Sequence, residues 1–374
     1  MNNKQITVIV KPTSACNLRC RYCYHAETNY ENGILPLEKL EQFIRLLLEE
    51  YNSVVFIWHG GEPLLCGPSY FKAAVELQNR YRKEGQRIVN AVQTNGTLLN
   101  EEFLTFFREN RFSVSISFDG PGGCNALRGE TEKTVDAFMK AINAGVKPAS
   151  LSVIHSLNMD KQIEMYRFFK QYGLNMKFNP VFGSSSEDGK PDYIPDTKRY
   201  IASLKELFEY WLYDKTAVHL DTIDQYLSMY FRGRGRDCCY GSCLYNWLGI
   251  DGKGDLYPCG RYYGPEFLLG NIMDYTNIRQ VFLHKNYTEL LKKSILRRNQ
   301  CQNSCKYYSV CHGGCNNSCI LDGDLEKPSD FQCTVLKEML PYVKKTMDSY
   351  LKNTKEDQLN PVIAGYLKTG RKTT

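Results

Sequence analysis

The chain has 374 residues, enough for two domains or one large domain with an appendage. Hydrophobic residues make up 43% and aromatics 13%, which excludes general disorder. A mean hydropathy of −0.43, with no apolar run approaching about twenty residues, excludes a membrane span, and the surplus of 47 − 41 = 6 basic residues reads as a solubilising surface, with no nucleic-acid footprint.

The first half alternates short β-branched runs with amphipathic helical patterns. ITVIVKP (6–12) predicts a strand, ILPLEKLEQFIRLLLEEY (34–51) a helix, SVVFIWH (53–59) a second strand, and SYFKAAVELQNRYRKEG (69–85) a helix closed by Gly85. The alternation continues through IVNAVQTN, NEEFLTFFREN, FSVSISFDG and TEKTVDAFMKAINAG, where Gly145 is placed to end the helix, and then through ASLSVIHSLN, KQIEMYRFFKQYG and NMKFNPVFG. Six strand–helix units in series predict a parallel sheet with helices outside. Unusual residues follow the strands: Cys16, Cys20 and Cys23 the first, Gly60, Gly61, Glu62 and Pro63 the second, Gln93–Gly96 the third, and Ser117, Asp119 and Gly120 the fourth. Clustering at carboxyl ends of strands favours a barrel, and six units make it an incomplete, partial (β/α)6 TIM barrel with an open side.

Fifteen cysteines do not fit an ordinary protein of this size. MNNKQITVIVKPTSAC lacks the apolar stretch and cleavage site of a signal peptide, so a cytoplasmic, reducing location is expected, where cysteine clusters mean metal or redox chemistry. Three cysteines lie within residues 16–23, Cys66 and Cys124 stand alone, and ten crowd the span from Cys238 to Cys333. FRGRGRD (231–237) reads as the linker at this composition shift. The expected domains are 1–235 with bridging helices at 195–231, a cysteine-rich 236–335, and a terminal helix (335–353) and mobile tail within 336–374.

Cys16, Cys20 and Cys23 have the spacing C-x3-C-x2-C. Three thiolates are one short of a closed site, so a 4Fe–4S cluster held this way keeps one iron open for an external ligand. A zinc knuckle completed by His25 is the plainer alternative. Followed by Tyr24, the motif resembles the signature of radical S-adenosylmethionine (SAM) enzymes. The resemblance implies that SAM chelates the open iron, that Tyr24 contacts adenine, and that Gly60, Gly61 and Glu62 receive the methionine ammonium, the glycines by close backbone approach and Glu62 by its charge. Asn95, Ser117 and Arg128 are weaker SAM candidates from the stretches QTNG, SISFDG and the loop 119–129. His59 reads as a packing or supporting residue.

The second half resembles the SPASM extension, through C-x10-G-x4-C at Cys243, Gly254 and Cys259, then C-x3-C-x5-C-x3-C from Cys301 to Cys315, then Cys333. One gap is a residue longer than that pattern. The resemblance implies two auxiliary 4Fe–4S clusters, three in all: one on Cys243, Cys259, Cys315 and either Cys238 or Cys239, the other on Cys301, Cys305, Cys311 and Cys333. Structural zinc ribbons are the alternative. Cys66, Cys124, Cys319 and the unused member of the Cys238/Cys239 pair are left as buried thiols.

Over residues 5–340 the chain is most similar to anaerobic sulfatase-maturating enzymes and to maturases of ribosomally made peptides. In the former an aspartate that serves as base follows the YPC motif; here Gly260 follows Tyr257-Pro258-Cys259. Asp255, Tyr262 and Tyr263 are the substitute candidates. The expectation is therefore an oxidative cross-link (thioether or carbon–carbon) in a ribosomal peptide, with formylglycine formation and a non-catalytic electron carrier as alternatives. Expected partners are a peptide or protein substrate, a flavodoxin or ferredoxin donor and a separate leader-binding protein, since the barrel starts by residue 6.

Overall fold

The computed structural model describes residues 4–25, 33–181, 191–241 and 243–370. In chain order β1 (Gln5–Val10), α1 (Leu37–Glu50), β2 (Ser53–Trp58), α2 (Gly67–Tyr81), β3 (Arg87–Thr94), α3 (Glu101–Glu109), β4 (Ser113–Ser117), α4 (Thr131–Asn143), β5 (Ala149–Ile154), α5 (Gln162–Gln171) and β6 (Asn175–Pro180) realise the predicted alternation. Then follow α6 (Thr197–Leu212), α7 (Asp221–Arg232), β7 (Trp247–Ile250), β8 (Leu256–Tyr257), α8 (Lys285–Ser304), α9 (Tyr308–Cys311), α10 (Asn316–Leu321), α11 (Asp330–Asn353) and α12 (Pro361–Gly370).

Two compact units emerge. One comprises Met1–Ser117, Arg128–Pro148 and Cys243–Lys292, the other Phe118–Leu127, Ala149–Ser242 and Lys293–Thr374. They do not follow the boundary expected near residue 235. The reason lies at the free edge of β1, whose unpaired backbone groups need partners: β7 pairs with it in parallel, Thr7 opposite Trp247 through Val10 opposite Ile250. The cysteine-rich stretch thus supplies strands to the first unit.

In that unit β1 pairs with β2, β2 with β3 and β3 with β4, all parallel, while β8 turns back antiparallel on β7. Strand periodicity sorts the side chains. Ile6, Val8 and Val10 are fully buried, whereas Thr7 and Ile9 on the other face are half-buried. On α1, Leu40, Phe43, Ile44 and Leu47 repeat at helical spacing and are buried. Asn100 caps α3 by accepting from the Phe103 amide at 3.0 Å. Gly145 ends α4 in the left-handed conformation (φ 75°), with the Val146 amide donating to Ala141 as in a Schellman turn. Gly85 does not close α2: the helix stops at Tyr81, and Gly85 serves the turn into β3.

The second unit pairs β5 with β6 in parallel. Its α11 lies against α6 and α7, fastened by Tyr342 on Glu209 and Tyr230 on Asp348. The expected mobile tail needs correction. PVIAGYL is apolar enough to fold back as α12, burying Val362, Ile363 and Tyr366. Asn360, fully buried, donates to the Trp211 carbonyl at 2.7 Å and accepts from the Val362 amide at 2.9 Å. Residues 371–374 of that tail, and 182–183 of the segment NMKFNPVFG, lie outside the described residues. Among the described residues no helix is long and apolar enough to cross a membrane.

Candidate functional site

The chain leaves β1 through Thr13, Ser14 and Ala15 into the cysteine loop, and the Gly60-Gly61 turn after β2 packs directly on that exit. A Cβ at Gly61 would stand 2.0 Å from the Ala15 carbonyl oxygen, and one at Gly60, whose φ is +121°, 2.7 Å from that of Thr13. No side chain fits at either position. The Gly61 amide donates to Thr13 at 3.0 Å and the Glu62 amide to Ala15 at 2.8 Å. The close approach expected toward a ligand is thus spent on the protein's own chain, fixing where the cysteine loop starts.

Glu62 is fully buried. Its carboxylate accepts from the Leu64 amide (3.0 Å), the Thr94 hydroxyl (2.7 Å) and the Asn95 amide (2.7 Å). Burial outweighs these bonds and pushes its pKa up to about 7. Its observed work is to tie the loops after β2 and β3 together. Asn95, placed by that tie, donates to Asn17 at 2.8 Å and approaches the Cys16 sulfur at 3.9 Å. Arg128 reaches the Cys20 sulfur at 3.7 Å and lies over the Tyr22 ring at 5.6 Å. Two residues expected at SAM therefore touch cysteine sulfurs. Ser117 accepts from the Gln93 amide at 2.7 Å. Tyr24 keeps 38% of its surface exposed and stacks on Tyr263 at 6.3 Å, with 12° between planes.

A row of polar groups runs across the strands beside this loop. The register that pairs Val10 with Trp58 and Trp58 with Val92 brings Lys11, His59 and Gln93 to one level at the carboxyl ends of β1, β2 and β3. Half-buried His59 accepts from the Gly60 amide at 2.5 Å; removal from water, with Lys11 nearby, lowers its pKa to about 4. Lys11 is only 8% exposed, and burial brings its amine down to about 8 against the opposing pull of Cys259 and Asp251. Its ammonium has no hydrogen-bond acceptor among the described residues and faces a cavity of about 380 Å³. That cavity is also lined by His25, Gly60, Lys39 and Asp251, whose second carboxylate oxygen is buried without a donor among the described residues. The sequence motifs do not single out Lys11; its one signal there is a lysine closing an apolar strand just ahead of the cysteine motif.

The substitute bases fare unequally. Asp255 accepts from Asn271 at 2.7 Å within a loop fastening, and Tyr262 is buried against Phe267 at 4.7 Å. Both of these contacts fasten the chain locally. Only Tyr263 stands by the cysteine loop. Gly260 has no room for a side chain: a Cβ there would meet Ile9 at 2.6 Å.

In the second unit Cys301 (on α8), Cys305, Cys311 (ending α9) and Cys333 (on α11) are brought together, each of Cys301, Cys305 and Cys333 acting electrostatically on Cys311. Cys315 instead neighbours Cys239, which is half-buried, while Cys238 is exposed. Cys243 and Cys259 are half-buried thiols of the first unit. Cys124 and Cys319 are fully buried, and Cys66 is half-buried with its thiol pushed up to about 12, so these three have the character of inert packing thiols. Asp119 is fully buried and accepts from the Val153 amide at 2.8 Å, a fastening within the second unit.

Among the described residues no three His, Cys, Asp or Glu side chains converge as a single metal ion would require. A four-iron cluster binds each thiolate at a separate corner and asks for free thiols set apart. The loop meets that demand with Cys16, Cys20 and Cys23, all half-exposed. The Leu18 amide on Cys16 (3.4 Å), Asn95 and Arg128 supply donors to thiolate sulfur, the kind of surrounding an anionic cluster needs.

An α/β fold with a parallel sheet and this cysteine loop at its carboxyl edge define a radical SAM enzyme, and the radical SAM superfamily profile matches residues 10–169. The chain is 30% identical to the cysteine-type anaerobic sulfatase-maturating enzyme of Clostridium perfringens, over 90% of this chain and 96% of that one. It is 29% identical to the serine-type enzyme of Bacteroides thetaiotaomicron over 98% and 96%. The structure of native anSMEcpe with bound AdoMet and the Cp18Cys peptide superposes with a TM-score of 0.83 at 28% identity, covering 94% of this chain and 100% of that one. The chain belongs to the radical SAM family that includes the anaerobic sulfatase-maturating enzymes. It is an enzyme, and the family implies a 4Fe–4S cluster and SAM.

Proposed function

We propose that the protein oxidatively modifies a residue of a ribosomally made peptide, forming a cross-link in preference to formylglycine. The observation that carries this reading is Gly260, where Ile9 fills the space of a side chain, so the position that offers an aspartate base in sulfatase maturases offers nothing here. Cys16, Cys20 and Cys23 would hold the reduced cluster, and SAM bound there would supply the radical chemistry that abstracts hydrogen from the substrate. The chain's residues do the rest. Gly60, Gly61 and Glu62 set the loop, Asn95 and Arg128 steady its sulfurs, and Tyr24 offers an exposed ring face to an adenine. Lys11 and Asp251 present a donor and an acceptor to the peptide in the cavity, and Lys11, brought down to about 8, becomes able to take a proton as the pH rises through that value.

An auxiliary cluster on Cys301, Cys305, Cys311 and Cys333 would take the second electron of the oxidation, the first leaving the substrate with the abstracted hydrogen atom; a flavodoxin or ferredoxin would supply the electron that cleaves SAM. Formylglycine formation is the second reading, favoured by similarity to sulfatase maturases over nearly the whole chain. Anaerobic turnover with SAM and reductant, read by mass spectrometry, separates them. A cysteine-type sulfatase peptide and any short peptide encoded beside the gene are offered together. Loss of two hydrogens from the neighbouring peptide supports cross-linking; an aldehyde in the sulfatase peptide overturns it.

A further inference from the structure

Arg297 is among the largest fully buried side chains in the chain, with 0% of its surface exposed. It lies on α8 one turn before Cys301, on the same helix face. Its Nε donates to the Gly313 carbonyl at 3.0 Å, one terminal nitrogen to the Leu325 carbonyl at 2.7 Å, and the other to Asn316 Oδ1 at 2.5 Å. All three acceptors are neutral. Among the described residues no carboxylate lies within ion-pair distance of this guanidinium. A buried cation without an anion is costly, and proteins keep one where an opposite charge is supplied by something else.

The surroundings point to that anion. Gly313 sits between Cys311 and Cys315, in a run of three left-handed residues, His312 (φ 52°), Gly313 (86°) and Gly314 (74°). A carbonyl held by Arg297 fixes this loop, and the Gly313 amide points at the Cys311 sulfur beside it. Arg297 and Lys337, the latter one turn after Cys333 on α11, are the cations within electrostatic reach of Cys301, and Arg297 also reaches the buried Cys319.

We propose that Arg297 is the buried counter-charge of the Cys301, Cys305, Cys311 and Cys333 set, and that its positive charge raises the reduction potential of the cluster these thiolates carry. The proposal rests on the auxiliary-cluster reading above. A four-thiolate cluster gains one negative charge when a single electron enters it, and a desolvated cation nearby favours that reduced form. Arg297 is thus a positioning residue that acts through the loop and through its field.

The test uses the full chain, reconstituted anaerobically with iron and sulfide, carrying Cys16→Ala, Cys20→Ala and Cys23→Ala so that only auxiliary clusters form. The signal that further replacement by Cys301→Ala removes is the one followed in a dithionite titration read by electron paramagnetic resonance. With Arg297→Met, the reduced-to-oxidised ratio of that signal at a fixed poise is expected to fall about tenfold or more, about 59 mV for a one-electron couple. Arg297→Lys, which keeps the charge and loses the fork of hydrogen bonds, is expected to fall less. An unchanged midpoint in Arg297→Met with iron retained overturns the proposal. So does an equal fall in Arg297→Lys, which would make the bonds and not the charge responsible. Should Arg297→Met lose its iron, Arg297→Gln, which keeps a donor for Gly313, takes its place: a tenfold fall supports the proposal and an unchanged midpoint overturns it. If Cys301→Ala leaves iron and spectrum unchanged, the cluster reading itself is wrong, a failure distinct from either of these.

Discussion

The two cysteine sites that fall within single compact units are built on opposite plans. Cys16, Cys20 and Cys23 occupy eight consecutive residues of irregular chain, held from outside: glycines after β2 clamp its entry, Glu62 locks the neighbouring loop, and Asn95 and Arg128 reach the sulfurs from the loops after β3 and ahead of α4. Cys301, Cys311 and Cys333 lie on helices α8, α9 and α11 and Cys305 just past the end of α8, with Arg297 on α8 beside them. A loop carried on a rigid sheet leaves a face open, as a site that must bind and release a ligand requires. The helical set, whose thiols are covered to the same degree as those of the loop, is instead held from within by a buried cation. The difference predicts that damage should stay local to each plan.

The largest effect is expected from Cys16→Ala, Cys20→Ala and Cys23→Ala together. Formation of 5′-deoxyadenosine from SAM should drop to background, measured chromatographically under dithionite; product at the wild-type level would remove the loop from the chemistry. Next comes Gly61→Ala. A Cβ 2.0 Å from the Ala15 oxygen must displace the loop entry, so 5′-deoxyadenosine formation should fall at least about tenfold, with a stability loss of about 1–3 kcal/mol. Iron at the Cys301 set should be untouched, and its loss would break the contrast between the two plans.

In the second unit Asn360→Ala strips a buried carbonyl and the start of α12 of their partners. A cost of about 1–3 kcal/mol is expected in denaturant unfolding, with 5′-deoxyadenosine formation preserved. A further effect is one of pH. Because Glu62 titrates at about 7 when folded and near 4.5 when unfolded, the folded chain holds a proton that the unfolded chain has released between those values. Its contribution to stability is therefore complete below about pH 4.5 and is lost as pH rises through 7. His59, lowered to about 4, works in the opposite sense over a similar range. The quantity to measure is therefore the wild-type minus Glu62→Gln difference in unfolding free energy, which should fall from pH 4.5 to 7. A flat difference would mean the carboxylate is ionised throughout.

Much of the fold is legible in the residues alone. Period-two strands, helix faces such as Leu40, Phe43, Ile44 and Leu47, the Asn100 and Gly145 helix ends, and the cysteine spacings are local patterns, and local patterns survive folding because backbone geometry dictates them. Gly85 and the PVIAGYL segment mislead for the same reason in reverse. A glycine beside a helix resembles a cap whether or not the helix reaches it, and a polar, basic average over twenty residues hides three that are buried, Val362, Ile363 and Tyr366.

What the sequence by itself determined was the chemistry: three thiolates in one loop, a glycine pair after the next strand, and a second cysteine array with its own spacing. The tertiary structure alone decided who touches whom. It turned Gly60 and Gly61 toward the chain and not toward a ligand, set Asn95 and Arg128 on cysteine sulfurs, and tied down Asp255 and Tyr262. It brought Lys11, Asp251 and Arg297 into buried places that no motif marks. The reason is physical. Spacing along the chain fixes only contacts within a turn or a strand, whereas burial and the loss of water around a charge arise when distant segments close over it.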